Sequence, residues 1–275
     1  MTNQELKTMQ QKQLEMLLEI DRICKKHSLK FYLAYGSLIG AVRDKGFIPW
    51  DDDVDIFMPQ ADYEKFCEIC KTDLDEKFFL QNPYTDPEYL FYTPKLRYNN
   101  TCAVEPKFKD MNMHHGIYID IFPIYDMPKS SMLKKLQKYL QQIQTLYLRK
   151  RKPVRLHKLI IYRLTSVLCI NEWALKLFNR LMKKVEIDEN HVCDLVSIGY
   201  YFNTVFDKAW FGEPLYIEFE GHKMPVPQNY HDMLTAYYGD YMTPPPENER
   251  DTGHNFFCIS FEKNYNQLKE SLKDE

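Results

Sequence analysis

The chain has 275 residues, of which 44% are hydrophobic and 27% are charged, and its net charge is −3. This composition is typical of a globular protein and excludes disordered and fibrous chains, and the length is enough to bury a sizeable core. We therefore expect a single catalytic domain over residues 1–275. Residues 1–12 are polar and show neither a secretory signal nor a transit peptide, so the expected location is cytoplasmic.

Apolar residues at helical spacing alternate along the chain with short apolar runs that are typical of strands. In chain order, the predicted elements are a helix over residues 3–27, a strand over 31–35, a short helix ending at Arg43, a strand over 54–58, a helix over 61–70, strands over 78–80, 92–98, 101–105 and 116–123, a mostly helical stretch over 129–187 broken at Pro153, a hairpin over 213–225 and a helix over 229–238. This order predicts an α+β fold with a mixed sheet flanked by helices and a helical insertion at about 129–200.

Turn and capping residues add detail to these elements. Ser37 is expected to cap the short helix that ends at Arg43. Asn99-Asn100 predicts that the strands on either side of it form a hairpin, and Glu220-Gly221 predicts the turn of a second hairpin. The Pro244-Pro245-Pro246 run predicts an extended polar tail.

The charge of the chain is unevenly distributed. Residues 129–184 contain 15 lysines and arginines and one acid, Glu172, which gives this segment a charge of +14 and leaves −17 for the remainder. The segment has no apolar run long enough to span a membrane. It forms either a solvated helical subdomain or a basic amphipathic surface that rests on anionic lipid at the inner face of the membrane. Nucleic-acid binding is not expected, because no reader motif is present.

The seven cysteines do not show the spacing of zinc ligands. Cys67 and Cys70 lie three residues apart on a predicted helix, so they share one face and are expected to be small core residues. We therefore expect reduced thiols and assign the cysteines no chemistry.

Four aspartates within five residues form the clearest candidate site. Asp53 and Asp55 are two residues apart at the start of a predicted strand, so their side chains point to the same face and repel each other unless a cation or protons intervene. Two hard oxygen donors suit magnesium. Asp51 and Asp52 add negative charge, either as ligands or as second-layer support, and a solvated acidic turn is the alternative for the whole run.

Three neighbouring features favour a phosphoryl-transfer site over that alternative. Gly36 and Ser37 offer backbone N–H groups and a hydroxyl to an anion at the start of a helix. Asp120 is the one charged residue in an apolar strand and is expected to supply a third carboxylate. Lys95 and Arg97 place two cations on one face of a strand, where they suit phosphate.

Five segments resemble the LicD family, which includes bacterial phosphocholine transferases, and the related fukutin and fukutin-related sugar-phosphate transferases. The segments are Leu33 to Arg43, Gly46 to Ile56, Lys95-Leu96-Arg97, Gly116 to Pro123, and Tyr238 to Met242 followed by Pro245-Pro246. The resemblance covers about residues 30–125 and 210–255, and it implies a nucleotidyltransferase-like fold. It also implies transfer of an alcohol phosphate from a CDP-activated donor, such as CDP-choline, to a sugar hydroxyl of a glycan or lipid-linked glycan.

The resemblance and the residues together lead to a hypothesis for the mechanism. Asp53, Asp55 and Asp120 hold two magnesium ions, for which manganese can substitute, at the donor diphosphate. Asp120 is also the candidate acceptor of the hydroxyl proton, with Asp126 as the weaker alternative. The expected phosphate contacts come from Gly36, Ser37, Arg43, Lys95 and Arg97.

Several other residues keep two interpretations. Arg43 either reaches a phosphate or lies on a surface helix, and Trp50 either packs as a core aromatic or stacks on a base. Tyr238, Asp240 and Tyr241 either shape a pocket or simply end a helix. His114 and His115 either approach the site or belong to a loop, and His254 is a candidate to close over substrate.

Two other functions compete with phospho-alcohol transfer. One is transfer of a nucleotide from a nucleoside triphosphate to a small molecule or protein, which releases pyrophosphate. The other is a non-catalytic binding subunit, which is disfavoured because the candidate site residues are all present.

Overall fold

The computed structural model describes residues 1–89, 93–137, 185–194, 205–250 and 254–269. The chain forms two compact units. Unit 1 comprises Met1–Tyr89, Pro94–Phe122 and Ala209–Glu275, and unit 2 comprises Leu90–Thr93 and Pro123–Lys208.

Strands and helices are mixed along the described residues, which confirms the predicted α+β class with a mixed sheet flanked by helices. The strands are β1 (Tyr32–Leu33), β2 (Asp55–Pro59), β3 (Phe78–Gln81), β4 (Lys95–Tyr98), β5 (Cys102–Val104), β6 (Tyr118–Pro128), β7 (Ile187–Asp194), β8 (Val205–Asp207), β9 (Leu215–Phe219), β10 (His222–Val226) and β11 (Cys258–Ser260). The helices are α1 (Asn3–His27), α2 (Tyr35–Arg43), α3 (Gln60–Asp73), α4 (Tyr230–Tyr238) and α5 (Tyr265–Lys269). Within the described ranges, none of the helices has the length and hydropathy needed to cross a bilayer.

Helix α1 has well-defined ends and one apolar face. The hydroxyl of Thr2 accepts the backbone N–H of Glu5 at 3.2 Å, and the Glu5 carboxylate accepts the N–H of Thr2 at 2.7 Å, which together form a capping box. The helix ends at His27 and is capped by Ser28, which adopts a left-handed conformation with φ 54°. The buried apolar residues of this helix are Leu6, Met9, Met16, Leu17, Ile20, Ile23 and Cys24. They pack the helix against α3 and β4.

The sheet of unit 1 has the strand order β1-β2-β6-β4-β3. In the antiparallel pairing of β4 with β6, Leu96 lies opposite Ile119 and Lys95 lies opposite Asp120. Since side chains alternate between the two faces of a strand, Leu96 and Ile119 enter the core while Lys95 and Asp120 share the other face. The site residues of β4 and β6 therefore meet on one face of this sheet.

The hairpin of β9 and β10 packs against the loop that follows α2. Its turn residues Glu220 and Gly221 both have positive φ, which confirms the predicted turn position. The Glu220 carboxylate accepts the backbone N–H of Phe47 at 3.0 Å, and a Cβ atom on Gly46 would collide with that carboxylate. This contact brings the C-terminal hairpin against the loop that leads to the aspartates.

The predicted hairpin between residues 92–98 and 101–105 is wrong. Strand β4 pairs with β3 and β6, whereas β5 pairs with β11. The Asn99-Asn100 pair does make a turn, in which Asn100 has φ 56°, but the chain leaves the sheet after it. Strand pairing is decided here by long-range partners, which a local turn signal does not contain.

The predicted extended tail is also partly wrong. Residues 247–249 form a short 3-10 turn, and the C-terminal segment continues into β11 and α5. Cys258 lies opposite Val104 and Ser260 lies opposite Cys102 in the β11–β5 pair. A three-residue strand is too short for a periodic pattern to reveal it.

Unit 2 contains the second half of β6, which pairs with β7, and β8, which pairs with β7. Residues 131–137 are helical, and Lys134 is paired with Asp188 at 2.5 Å. The helical insertion predicted up to residue 200 is wrong at 187–194, because β7 forms there by pairing with β6. The rest of that prediction, including the basic residues 138–184, lies outside the described residues.

Candidate active site

The structure brings Asp53, Asp55 and Asp120 together in unit 1. Asp55 is the first residue of β2, and the backbone N–H of Asp120 donates to the carbonyl of Val54 at 2.9 Å, so the two carboxylate-bearing segments are adjacent. Burial and the charges of Asp53 and Asp120 raise the pKa of Asp55 well above its ordinary value. The three carboxylates therefore repel one another at close range.

Asp51 belongs to the same cluster. A Cβ atom built on Gly36 would lie 2.7 Å from Asp51 Oδ2, so the missing side chain of Gly36 makes room for this carboxylate. Burial and the charge of Asp53 raise the pKa of Asp51 to about 8. Asp52 is only 1% exposed. A solvated acidic turn therefore does not describe this run.

Helix α1 holds the backbone of the aspartate loop. Gln10 Nε2 donates to the carbonyl of Asp51 at 2.9 Å. Gln13 Nε2 donates to the carbonyl of Asp52 at 2.8 Å and to that of Tyr118 at 3.3 Å. Gln13 thereby links the loop that carries Asp53 to the strand that carries Asp120. Sequence reasoning missed this role, and a glutamine within the apolar stripe of α1 was the available signal.

Ser37 does not cap α2, so that prediction is wrong. The helix begins at Tyr35, and its cap residue Ala34 makes no side-chain capping bond. The hydroxyl of Ser37 instead accepts the backbone N–H of Asp55 at 2.9 Å. This bond joins α2 to β2, and the Ser37 O–H, which donates to no other described residue, can donate to a ligand.

Lys95 and Arg97 have different environments although they share a strand face. Lys95 Nζ lies 2.5 Å from Asp120 Oδ1 and 3.6 Å from the centre of the Tyr118 ring. Arg97 is 3% exposed and donates at 2.7 Å both to the Gln81 side chain and to a backbone carbonyl in the loop before β6. Lys95 is therefore beside the carboxylates, whereas the hydrogen bonds of Arg97 connect β4 with β3 and with the loop before β6.

Arg43 is nearly buried and is not an exposed surface arginine. Its side chain is 9% exposed, pairs with Asp44 at 2.9 Å and donates to the carbonyl of Tyr241 at 3.3 Å. The guanidinium carbon also lies 5.8 Å from the centre of the Trp50 ring, and that of Arg250 lies 4.5 Å from the same ring. These contacts connect the segments Leu33 to Arg43 and Gly46 to Ile56 with the segment around Tyr241.

His254 reaches the aspartates from the C-terminal segment. Its Nδ1 lies 2.8 Å from Asp52 Oδ1 and 3.9 Å from Asp53 Oδ2. Burial alone would lower the pKa of His254, but the hydrogen bond to Asp52 and the charge of Asp53 raise it above the ordinary value.

The other two candidate histidines belong to a loop elsewhere in unit 1. His114 stacks on Phe79 with ring centres 5.2 Å apart. The His115 ring lies 2.9 Å from the carbonyl of Met111. Asp126, the weaker candidate base, is an exposed residue of unit 2 and pairs with Lys208 at 2.9 Å.

The chemistry of this donor set fits a divalent cation. Crowded carboxylates with raised pKa values are the environment that a hard cation stabilises, since it removes their mutual repulsion. One ligand atom each from Asp52, Asp53 and His254 also lie within 4.8 Å of one another.

Comparison with known proteins agrees with the resemblance noted in the sequence. Residues 28–158 match the family model described as LicD/FKTN/FKRP, nucleotidyltransferase domain. The chain is 28% identical over 272 aligned residues to the lipopolysaccharide cholinephosphotransferase LicD of Haemophilus influenzae, covering 90% of this chain and 96% of that protein. It is also 27% identical over 113 residues to an uncharacterized protein of Rickettsia prowazekii, covering 30% of this chain and 42% of that protein. An uncharacterized protein of Rickettsia typhi is 34% identical over 55 residues, covering 20% and 18% respectively.

Proposed function

We propose, from the LicD-family nucleotidyltransferase domain that this chain carries, that the protein transfers phosphocholine, or a similar phospho-alcohol, to a sugar hydroxyl of a cell-surface glycan. The donor is a CDP-activated alcohol, and CMP is the leaving group. The lipopolysaccharide cholinephosphotransferase of Haemophilus influenzae, which aligns with 90% of the chain, supports phosphocholine as the transferred group and a glycan as the acceptor.

One observation carries this proposal. Asp53, Asp55 and Asp120 lie close together within the segment that matches the family model, and Gly36 and Ser37 lie beside them. A phosphoryl-transfer site needs little more than positioning and charge stabilisation, and this cluster supplies groups for both.

Asp53, Asp55 and Asp120 are the residues that would hold Mg²⁺, as two ions, with Mn²⁺ as a substitute. Bound cations would neutralise charge on the donor diphosphate as the bond to CMP breaks. The O–H of Ser37 donates to the phosphate that leaves with CMP, because the hydroxyl oxygen already accepts the N–H of Asp55. The backbone N–H of Gly36 donates to the same phosphate, whereas the space of its missing side chain is occupied by the Asp51 carboxylate.

Asp120 on β6 accepts the proton in this proposal, and Lys95 on β4 balances the charge. The oxygen of the sugar hydroxyl attacks the phosphorus of the phospho-alcohol group, the bond from that phosphorus to CMP breaks, and the hydroxyl proton passes to Asp120. Lys95, at 2.5 Å, holds this carboxylate in place and offsets charge on the diphosphate. Arg97 contributes less directly, through its hydrogen bonds to the Gln81 side chain and to the backbone before β6.

A lipid-linked glycan is the acceptor that suits the basic segment at residues 129–184. A segment with a charge of +14 would rest on an anionic membrane surface and bring the protein near such an acceptor. Co-sedimentation with vesicles of anionic lipid at low salt measures this contact, and failure to sediment would remove the membrane part of the proposal.

Release of CMP in the presence of Mg²⁺ tests the proposed reaction. CDP-choline, CDP-ribitol and CDP-glycerol are each incubated with the protein and a glycan acceptor, and wild type is compared with Asp55→Ala. Loss of turnover by at least about 1,000-fold is expected, because the variant removes a group that acts only at the reacting phosphates. Asp232→Ala, at an exposed position of α4, is the matched control and should retain activity.

Two results would contradict the proposal. Near-normal turnover by Asp55→Ala would remove the assigned site. Release of pyrophosphate from a nucleoside triphosphate, with no CMP release from any of the three donors, would instead assign nucleotidyl transfer.

A further inference from the structure

We propose that His254 is a ligand for a divalent cation, together with Asp53 and Asp52, so that the C-terminal segment completes the metal site. His254 lies 202 residues after Asp52 in the chain, and its Nδ1 approaches Asp52 Oδ1 at 2.8 Å. Two cis ligands of an octahedral ion with bonds of about 2.1 Å lie about 3 Å apart, so this spacing matches a shared cation. The Asp53 oxygen lies 3.9 Å from the same nitrogen, between the cis spacing and the spacing of about 4.2 Å that two trans ligands would have.

The position of His254 is held by several contacts outside the aspartate loop. Its ring stacks on Phe256 with centres 5.7 Å apart and lies edge-on to Tyr118 at 6.0 Å. The next residue, Phe257, donates its backbone N–H to the carbonyl of Val104 at 2.6 Å, where β11 joins β5. These tertiary contacts therefore hold the histidine against the aspartates.

Two further observations indicate that a ligand belongs here. The Asp52 side chain is 0% exposed, and its backbone carbonyl is held by Gln13, so this carboxylate faces His254 in a fixed position. The Tyr118 hydroxyl is buried and finds no hydrogen-bond partner among the described residues. Buried hydroxyls are almost always paired, and a water molecule on a cation beside the His254 ring would supply the missing partner.

The donor set defines the cation that this position prefers. One imidazole nitrogen with carboxylate oxygens favours Mn²⁺ over Mg²⁺, because imidazole is a better ligand for transition metals than for magnesium. The position shares Asp53 with the site proposed above for phosphoryl transfer. The role of a cation at this position therefore rests on the proposed phosphoryl transfer, whereas the test by Mn²⁺ binding does not depend on it.

Mn²⁺ binding to the full chain, without nucleotide or acceptor, tests this proposal. Electron spin-echo spectroscopy of bound Mn²⁺ detects nitrogen coupling when an imidazole is a direct ligand. Wild type should show this coupling, and both His254→Ala and His254→Gln should lose it. Calorimetry should show Mn²⁺ affinity falling by about 10- to 100-fold in the alanine variant.

His222→Ala, at the exposed first position of β10, is the matched control and should keep both the coupling and the affinity. If the alanine variant does not fold, as judged by its melting curve, the glutamine variant alone decides. Nitrogen coupling that is absent from wild type, or that survives in both His254 variants, would overturn the proposal. Absence of Mn²⁺ binding would overturn it as well, whereas the phosphotransferase assignment would still be decided by CMP release.

Discussion

Replacing Gly36 with alanine should lower turnover while leaving the stability of the protein nearly unchanged. The added Cβ would lie 2.7 Å from Asp51 Oδ2, so the carboxylate must move by about 0.5–1 Å to restore an ordinary contact. A displacement of this size at a reacting centre typically reduces turnover by about 10- to 100-fold. Alanine is at the same time up to about 1 kcal/mol better than glycine inside a helix such as α2. The free energy of unfolding should therefore change little.

Urea unfolding and CMP release, measured on the same preparations, check this prediction. Gly40→Ala, one turn later in α2, is the contrasting variant. Its Cβ would meet the backbone oxygen of Gly46 and the backbone nitrogen of Ile48, which cannot rotate away, so it should lose about 1–3 kcal/mol of stability. Turnover of Gly36→Ala within twofold of wild type would refute the reasoning, as would a stability loss equal to that of Gly40→Ala.

Three further predictions concern the residues around the site. Asp55→Asn should raise the urea midpoint of the cation-free protein, because it removes one of several buried charges that repel each other. The same variant should abolish CMP release. A lowered urea midpoint would contradict this prediction. Gln13→Leu should lower the free energy of unfolding by about 2–4 kcal/mol, because the carbonyls of Asp52 and Tyr118 lose their donor, and Gln13→Glu should restore neither bond. Burial lowers the pKa of His114 to about 4 from 6.5, so the unfolded chain binds the proton more readily than the folded chain. The free energy of unfolding should therefore fall by at most about 3 kcal/mol as the pH drops from 6.5 to 4. Relative to wild type, His114→Asn should flatten that fall in urea unfolding, and an unchanged pH profile would count against it.

Regular elements with long apolar patterns were predictable from the sequence. The helix predicted over residues 3–27 is α1, and the strand predicted over 116–123 overlaps β6, which carries Asp120. Both have many apolar residues at a fixed spacing, so their hydrophobic pattern agrees with their tertiary environment. The turn at Glu220-Gly221 is confirmed because its residues must adopt positive φ, which is a local requirement.

Other predictions were wrong because contacts between residues distant in the chain override the local pattern. Ser37 has the expected residue type for a helix cap, yet its hydroxyl accepts the N–H of Asp55, a residue that becomes available only when β2 packs against α2. Strand β7 was expected to be helical, and its pairing with β6 decides its conformation. Local propensity is a weak preference, and tertiary hydrogen bonds override it.

The sequence by itself determined which residues are candidates for the site, since the spacing of Asp53 and Asp55, the Gly36-Ser37 pair and the isolated Asp120 already predict a phosphoryl-transfer centre. Only the tertiary structure decided which residues support it. Gln13 lies 39 residues before Asp52, and His254 lies 202 residues after it, yet both contact that one residue. Contacts between residues so far apart result from the packing of α1, β6 and the C-terminal segment, and no local pattern in the chain records them.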